Sequence, residues 1–483
     1  MHIMIITDIE YQLICKKSVI RKVNILNSLS IQKQSASELK KTNVISQATL
    51  TKDISEINSL GTEGDYPLIK EQPKNFFELN TSNMNKLNMS LKKLLSDNPL
   101  YVIIDDLFHN KSFRIEEYSQ RLFMSQSSIR SALYILKEYL KTFHIHLNLS
   151  PLQLIGSEVN VRIFFFHYVQ NISGIKDTYF SSKIDKFIVK SKKDLHSPLH
   201  LDYQRLKNWL YVFFKRILAQ KMVSLNNSLK RQIMGIDSYI FFKKIVHKNS
   251  NSFFNILIDN EDELIFSYIV RLDIIIYENK RFYFISNFQD RLSKHTVVVS
   301  KFFSMNNLTL SEHSDLMFSL QALFCNLDLL TEISPLFQKV DNSLKKQIKV
   351  IYKELFECWS HLLSKYFSWQ YTEDVAVQAT LLVYSHLTLY YKKSIEVLFS
   401  YTGSPTNAMY YNAITNQVIP SSVNAHFIFD DNITNKVLQD MKIDILVCNF
   451  PPREEITCCK VIQLPSIISD KTWGWLASIG FYS

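Results

Sequence analysis

The feature that most constrains this chain is a pattern of two short helices and a hairpin in residues 113–162. Apolar residues recur at helical spacing in both helices, at Ile115, Tyr118 and Leu122 and then at Ile129, Leu133, Leu136 and Leu140. Ser125 is a good N-cap for the second helix. Residues 145–149 and 152–155 alternate around a turn and predict a hairpin. This order is typical of a winged helix-turn-helix, which places one helix in the major groove of duplex DNA.

The opposite face of the second helix carries short polar side chains near its N-terminus and basic ones further along. Hydrogen-bonding groups of this kind match base edges, and cations match phosphates. The pattern therefore predicts DNA contacts by Ser125, Gln126, Ser127, Arg130, Ser131, Tyr134 and Lys137. The alternative is an ordinary three-helix unit with a polar outer face, because the motif is short and degenerate.

The same template occurs upstream, which favours DNA binding over that alternative. Ser46 lies 79 residues before Ser125, and the apolar positions of the two helices coincide under this shift. A wing would follow in residues 61–70, with Gly61 and Gly64 supplying its turn. The exposed face of the upstream helix would present Gln47, Thr49, Thr51, Lys52 and Ser55. Two such units in one chain predict a long footprint on DNA.

Composition and motifs argue against an enzyme. Glycine accounts for 8 of 483 residues, or about 2%, whereas the average glycine content of proteins is roughly 7%. Neither GxGxxG nor GxxxxGK[ST] occurs, so we expect no nucleotide cofactor. Cys458 and Cys459 have no second cysteine pair with which to build a zinc site. His196 and His200 are four residues apart, but the intervening Pro198 favours a loop over a metal-binding helix.

Several features predict a cytoplasmic protein without a membrane partner. The N-terminal residues include Asp8 and Glu10 and lack a positive cluster, unlike a signal peptide. We expect no apolar run long enough to span a bilayer. The six cysteines include no CxxC pair, which fits a reducing compartment.

The middle of the chain, residues 159–391, is aromatic-rich and has helical periodicity. The formal net charge is +10, and the basic excess is concentrated in residues 151–260. A basic surface there would raise DNA affinity without adding specificity. The alternative is the solvated face of a helical domain. The residues concerned include Lys183, Lys186, Lys190, Lys192, Lys193, Lys243, Lys244 and Lys248. From residue 393, strands alternate with helices, which predicts a small parallel α/β domain.

The segment PLQLIGSEVNVRIFFF, residues 151–166, resembles the junction after the second winged helix in the Mga/AtxA family of transcription regulators from Gram-positive bacteria. The positions that match are Pro151, Leu152, Gly156, Glu158, Arg162 and residues 164–166. The similarity extends over nearly the whole chain in order and length. It implies homodimers or larger oligomers that bind promoter DNA with weak base specificity and control virulence or metabolic genes.

The resemblance also implies a mainly α, multidomain fold with five domains. Winged helix-turn-helix units would occupy residues 1–75 and 85–158. All-helical regulation domains, like those controlled by the sugar phosphotransferase system, would occupy residues 159–283 and 284–392. A IIB-like α/β domain would occupy residues 393–483. A phosphocarrier protein of that system is then an expected partner.

Two departures from the family pattern bear on phosphate control. Gln204 stands where related first regulation domains carry a phosphorylatable histidine, and the second domain's position lies near Thr380. The loop of residues 400–404 lacks the cysteine that IIB enzymes use, so we expect the tail to be a dimerisation scaffold. The remaining candidates for regulatory phosphorylation are His196, His200 and His386.

The sequence therefore predicts a cytoplasmic, DNA-binding activator of transcription that acts globally and dimerises through its tail. The alternative is a phosphorylation-controlled RNA-binding antiterminator, because such proteins share the regulation domains. Antiterminators usually begin with a small β-rich RNA-binding module, whereas helices are predicted at this N-terminus.

Overall fold

The chain divides into two compact units, Met1–Val383 and Tyr384–Ser483. Helices dominate the first unit, and the second is built on a sheet. This mainly helical architecture confirms the predicted fold class at that level. The computed structural model describes residues 6–60, 67–80, 84–195, 201–249, 260–277, 289–309, 311–390, 395–419, 423–429, 433–465 and 472–474.

The first winged unit follows a short helix and combines three helices with a three-stranded sheet. Its elements are α1 (Asp8–Gln12), α2 (Lys17–Ile31), β1 (Gln34–Ser35), α3 (Ala36–Asn43), α4 (Gln47–Asn58), β2 (Ile69–Gln72) and β3 (Phe76–Leu79). The antiparallel sheet has the order β1-β3-β2. Its hairpin turns at Lys74 and Asn75, whose φ angles are 65° and 57°. The wing was therefore predicted too early in the chain, and Gly61 and Gly64 lie outside the described residues.

The first unit also extends further than predicted. Strand β3 lies beyond the predicted boundary at residue 75, and helix α5 (Met84–Ser96) packs Leu87, Leu91 and Leu95 into the core of the first unit. The predicted second unit began at residue 85. Leucines at this spacing show that α5 has one apolar face, but the spacing does not specify which core that face meets.

The second winged unit repeats the order of three helices and a hairpin, but its sheet has two strands. Asn98 caps its first helix by accepting a hydrogen bond from the Leu100 amide (3.1 Å), with Pro99 at the first helical position. The antiparallel β4-β5 hairpin pairs Asn148 with Gln153. The elements are α6 (Pro99–Phe108), α7 (Ile115–Arg121), α8 (Gln126–Lys141), β4 (His146–Leu149) and β5 (Leu152–Ile155).

Between the second winged unit and Tyr390, the described residues are mainly helical. The helices are α9 (Glu158–Tyr168), α10 (Thr178–Leu195), α11 (Tyr203–Leu218), α12 (Asn227–Met234), α13 (Asp237–Asn249), α14 (Glu261–Val270), α15 (Gln289–Met305), α16 (Ser314–Ile333), α17 (Asn342–Ile351), α18 (Lys353–Tyr366) and α19 (Thr372–Tyr390). One hydrophobic cluster runs from the second winged unit through these helices and includes Phe108, Phe165, Trp209 and Phe337. The hydrophobic core is therefore continuous across residue 158, where a domain boundary was predicted.

Helix α16 departs from the expectation that no apolar run reaches membrane-spanning length. It is long and apolar enough to cross a bilayer, but 67% of its most apolar window is buried in the protein. Leu320, Phe324 and Leu329 are among its fully buried side chains. Burial of this extent is typical of a core helix in a folded domain.

The second unit contains a four-stranded parallel sheet, as the alternation of strands and helices predicted. The strand order is β7-β6-β8-β9, and Val397, Leu398 and Phe399 of the central strand β6 are fully buried. The elements are β6 (Ile395–Ser400), α20 (Pro405–Val418), β7 (Val423–Ile428), α21 (Asn435–Asp440), β8 (Ile445–Cys448) and β9 (Lys460–Gln463).

Candidate nucleic-acid interface

The two exposed helices α4 and α8 begin with the same cap. The Ser46 hydroxyl accepts a hydrogen bond from the Thr49 amide (3.2 Å), and the Ser125 hydroxyl accepts one from the Ser128 amide (3.2 Å). The cap fixes the direction in which each helix leaves the preceding turn. Because Ser46 and Ser125 are related by the 79-residue shift, the repeat seen in the sequence is also a repeat in geometry.

The helices that precede α4 and α8 also share an N-terminal capping interaction. The Glu38 carboxylate accepts a hydrogen bond from the Ser35 amide (2.7 Å), and Glu117 accepts one from the Arg114 amide (2.6 Å). Glu38 and Glu117 are again 79 residues apart. This pairing explains why α7 begins at Ile115 although Arg114 is a poor N-cap, a point that apolar spacing alone did not resolve.

The turns between the paired helices contain equivalent residues, which are 79 positions apart in the sequence. Val44 and Phe123 adopt left-handed backbone conformations, with φ angles of 53° and 52°. Their side chains are 89% and 96% exposed. Residues other than Gly, Asn and Asp seldom adopt this conformation. Both turns therefore present an apolar side chain to solvent beside the N-terminus of the exposed helix.

The residues predicted to contact DNA lie on the surface of both helices. The exposed members are Gln47, Thr51, Lys52, Ser125, Gln126, Ser127, Arg130, Ser131 and Tyr134, and the half-buried ones are Thr49 and Lys137. Leu50, Ile129 and Leu136 on the opposite faces are fully buried. The structure therefore places each predicted set on one outward face, as a DNA-contacting helix requires.

The hydroxyl groups on these faces are partly engaged by their own helices. Thr51 donates to the Gln47 carbonyl (3.1 Å), and Ser131 donates to the Ser127 carbonyl (3.0 Å). A hydroxyl that donates in this way still has lone pairs with which to accept. These hydroxyl groups can therefore accept hydrogen bonds from amino groups on bases, but their protons are already donated to the helix backbone.

The charges of the winged units are divided between structural pairs and the outward face. Arg21 of α2 forms a two-point ion pair with the buried Asp53 of α4, and Arg121 pairs with Asp106 (2.9 Å). Within the described part of the chain, Arg130 has no carboxylate within salt-bridge distance. The guanidinium of Arg130 is consequently available to a phosphate or to a guanine edge.

In the basic segment 151–260, several lysines are paired with carboxylates, so the unpaired positive charge is smaller than the formal charge indicates. Lys207, Lys215 and Lys230 pair with Asp185, Asp177 and Asp262 at 2.7–3.1 Å. The exposed lysines on helices α10 and α13 are Lys186, Lys190, Lys244 and Lys248. Lys183 is half-buried, Lys243 pairs with Glu261, and the side chains of Lys192 and Lys193 lie outside the described residues. Part of the positive charge is thus used to hold helices together.

A buried ionic network joins helix α9, which directly follows the second winged unit, to helices α11 and α14. The fully buried Arg162 donates to both oxygens of Glu263 (2.6 and 2.7 Å) and to the Lys221 carbonyl (2.8 Å). Arg216 donates twice to Glu158, at 2.8 Å each. Glu158 and Arg162 carry the sequence resemblance noted above, and their contacts are structural.

Of the three histidines predicted as phosphorylation candidates, the structure describes His386 alone. His196 and His200 lie outside the described residues, and His386 is buried. Gln204 donates to the Asn208 side chain (3.2 Å), and the buried Thr380 donates to the Ala376 carbonyl (2.7 Å). No group of three His, Cys, Asp or Glu side chains among the described residues is arranged to hold a metal ion.

The paired winged units, with polar helix faces turned outward, define a helix-turn-helix protein of the transcription-regulator class. Comparison with known proteins agrees: residues 83–169 match the Mga helix-turn-helix domain. The chain is 23% identical to the capsule synthesis positive regulator AcpA of Bacillus anthracis over 272 residues, which are 53% of this chain and 54% of AcpA. This match spans about half the length of AcpA.

A second relative is a protein of Streptococcus pneumoniae serotype 4 described as a "Putative trans-acting regulator". It is 21% identical over 398 residues, which are 69% of this chain and 78% of the relative. Together these matches confirm the resemblance to the Mga/AtxA-like family of transcription regulators.

Proposed function

We propose that this chain is a global activator of transcription that grips promoter DNA with both winged units. Helices α4 and α8 would enter successive major grooves, and the two wings would lie along the backbone. The observation that carries this proposal is the duplication: caps, turns and outward polar faces recur under one 79-residue shift. A single such unit is a common fold element, whereas a matched pair favours a shared ligand with a repeating surface.

The proposed contacts follow from the chemistry of each side chain. Arg130, Lys137 and Lys52 would neutralise phosphates or reach base edges, which makes binding salt-dependent. Gln47 and Gln126 occupy equivalent positions, and a glutamine can hydrogen-bond to adenine through two atoms. The remaining groups are hydroxyls, which pair with several bases, so we expect low base specificity.

Dimerisation through the tail is part of the proposal. Met409 and Tyr410 on helix α20 are 61% and 58% exposed, and Phe429 after strand β7 is 54% exposed. Apolar surface of this kind supports self-association. A dimer would present four winged units to one promoter, so its footprint would be long and its affinity steeply dependent on protein concentration.

Regulation by the sugar phosphotransferase system is proposed from the family resemblance, with a phosphocarrier protein acting on His196, His200 or His386. Because His386 is buried, its phosphorylation would require local opening of α19. The relative AcpA is named a positive regulator of capsule synthesis, which supports an activator. Action in the cytoplasm and on virulence genes is proposed from the family resemblance.

The direct test is footprinting of the full chain on fragments of its own genome, with a competition between duplex promoter DNA and hairpin RNA. We expect protection over successive turns of the duplex and displacement by duplex competitor. Preference for the RNA hairpin would instead support the antiterminator alternative. The described N-terminal region consists of winged helices rather than a β-rich module, which favours duplex DNA.

A further inference from the structure

An apolar cavity of about 190 Å³ lies inside the helices that follow the second winged unit. Helices α10, α11, α13 and α14 form its walls, with Phe187, Trp209, Phe213 and Phe242 among the lining side chains. For comparison, an engineered apolar cavity of roughly 150 Å³ in another protein stays free of water and binds benzene. The cavity therefore suits a body of about the size of a substituted benzene ring.

Arg271 and Ser191 are among the polar side chains that interrupt this apolar lining. The buried guanidinium of Arg271 donates from Nε to the Tyr268 carbonyl (3.0 Å) and lies 4.2 and 4.7 Å from the ring centroids of Tyr268 and Phe242. Burial lowers the pKa of Arg271 to about 10, so this side chain remains charged at neutral pH. Ser191 is more than nine-tenths buried, and its hydroxyl has no hydrogen-bond partner among the described residues.

We propose that this cavity is an effector site for a small carboxylate with an aromatic or branched apolar body. The body would fill the space beside Trp209 and Phe213, and the carboxylate would accept hydrogen bonds from Arg271 and Ser191. A charge-assisted hydrogen bond in an apolar surrounding is stronger than a neutral one. The nearby exposed lysines Lys186, Lys190 and Lys244 would raise the local concentration of an anion.

The same cavity is connected through helix α11 to helix α9, which directly follows the second winged unit. Phe213 lines the cavity, and its ring centroid lies 5.5 Å from the Arg162 guanidinium. One turn further along α11, Arg216 pairs with Glu158 at the start of α9. A ligand that fixes the position of α11 would therefore also fix the ionic network that holds α9, the helix that directly follows the hairpin of the second winged unit.

The test uses the full chain and two probes of similar shape, benzoate and toluene, with Tm and tryptophan fluorescence as readouts. We expect saturable binding of benzoate, a rise in Tm of several degrees, and weaker binding of toluene. Arg271→Met is expected to weaken benzoate binding about tenfold or more while toluene binding is retained. The matched control is Lys365→Met on helix α18, which removes an exposed positive charge outside the cavity walls and should leave both affinities unchanged.

Two further variants keep the proposal falsifiable where Arg271→Met fails to fold. Arg271→Lys keeps the charge and should retain measurable benzoate binding, and Val246→Phe fills the cavity and should abolish binding of both probes. Absence of saturable benzoate binding to the wild-type chain would overturn the proposal. Equal binding of benzoate by wild type and Val246→Phe would also overturn it, because the probe would then occupy another place.

Discussion

Val44 and Phe123 hold the same left-handed position in the turns of the two winged units, with φ angles of 53° and 52°. Their equivalence at a spacing of 79 residues shows that the repeat includes the backbone of the turn as well as the helices. A left-handed conformation costs an L-residue about 1–2 kcal/mol. Both turns are therefore strained at a position where glycine would be relaxed.

Replacing either turn residue with glycine should stabilise the protein. We expect Val44→Gly to raise the free energy of unfolding by about 0.5–1 kcal/mol, because relief of strain exceeds the added entropy of the unfolded chain. Urea unfolding measures this change. Thr51→Gly, at an exposed position inside helix α4, is the control and should destabilise by about 0.3–0.5 kcal/mol, because glycine is a poorer helix former than threonine. Equal losses for the two variants would show that the turn is not strained.

The N-cap of helix α8 allows stability and DNA binding to be separated. Ser125→Asp keeps a capping oxygen and adds negative charge at a helix N-terminus, so stability should be kept or slightly increased. The same charge would face the phosphates, so DNA affinity should fall by about tenfold. Ser125→Ala is the complementary variant: it should lose about 1 kcal/mol of stability. DNA binding unaffected by Ser125→Asp would mean that this end of α8 points away from DNA.

The Arg162–Glu263 pair should be essential to folding. Removing Arg162 leaves a buried carboxylate without its partner, so Arg162→Met is expected to destabilise the chain by about 3–5 kcal/mol. Circular dichroism during urea titration provides the measurement. Arg130→Met, which removes a charge from an exposed face, should change stability by no more than about 0.5 kcal/mol. Similar losses in the two variants would contradict the structural role assigned to Arg162.

Acid should weaken the structure partly through His167. Burial lowers the pKa of this imidazole from 6.5 to about 4, so the folded chain holds it neutral while the unfolded chain binds a proton. Stability contributed by His167 is therefore present above pH 6.5 and is lost as the pH falls towards 4. His167→Phe should flatten the dependence of Tm on pH in this window. An unchanged slope would assign the acid sensitivity to other groups.

Salt dependence should distinguish phosphate contacts from base contacts. Arg130→Ala and Lys52→Ala should each reduce the slope of log affinity against log salt concentration by about one unit if each side chain holds a phosphate. Gln126→Ala should leave the slope unchanged and relax the preference for the bases near that residue. Anisotropy titrations at several salt concentrations separate these outcomes. An unchanged slope in both Arg130→Ala and Lys52→Ala would show that other residues make the phosphate contacts.

Local features of the winged units were predictable from sequence. Ser46 and Ser125 mark the starts of their helices, because a serine N-cap bonds to an amide only three residues further along the chain. The apolar spacing of α8 shows which of its faces is buried. The wing of the first unit was placed wrongly because its turn uses Lys74 and Asn75, whereas glycines nearby gave a stronger turn signal.

Long-range features were not predictable in the same way. The pairing of Glu158 with Arg216 joins residues that are 58 positions apart, and no periodicity marks such a contact. The packing of α5 against the first unit depends on which core lies nearby. The cavity beside Trp209 arises from four helices whose relative positions are a property of the folded chain.

The central claim is that the outward faces of α4 and α8 bind duplex DNA, and an affinity measurement on a footprinted promoter tests it most directly. Full-length protein carrying Ser127→Ala and Arg130→Ala should bind more weakly by about tenfold or more, consistent with the loss of one charged and one neutral hydrogen bond. Lys365→Ala, an exposed change on helix α18, serves as the control and should bind like the wild type. Wild-type affinity in the double variant would contradict the assignment of α8 as a DNA-contacting helix.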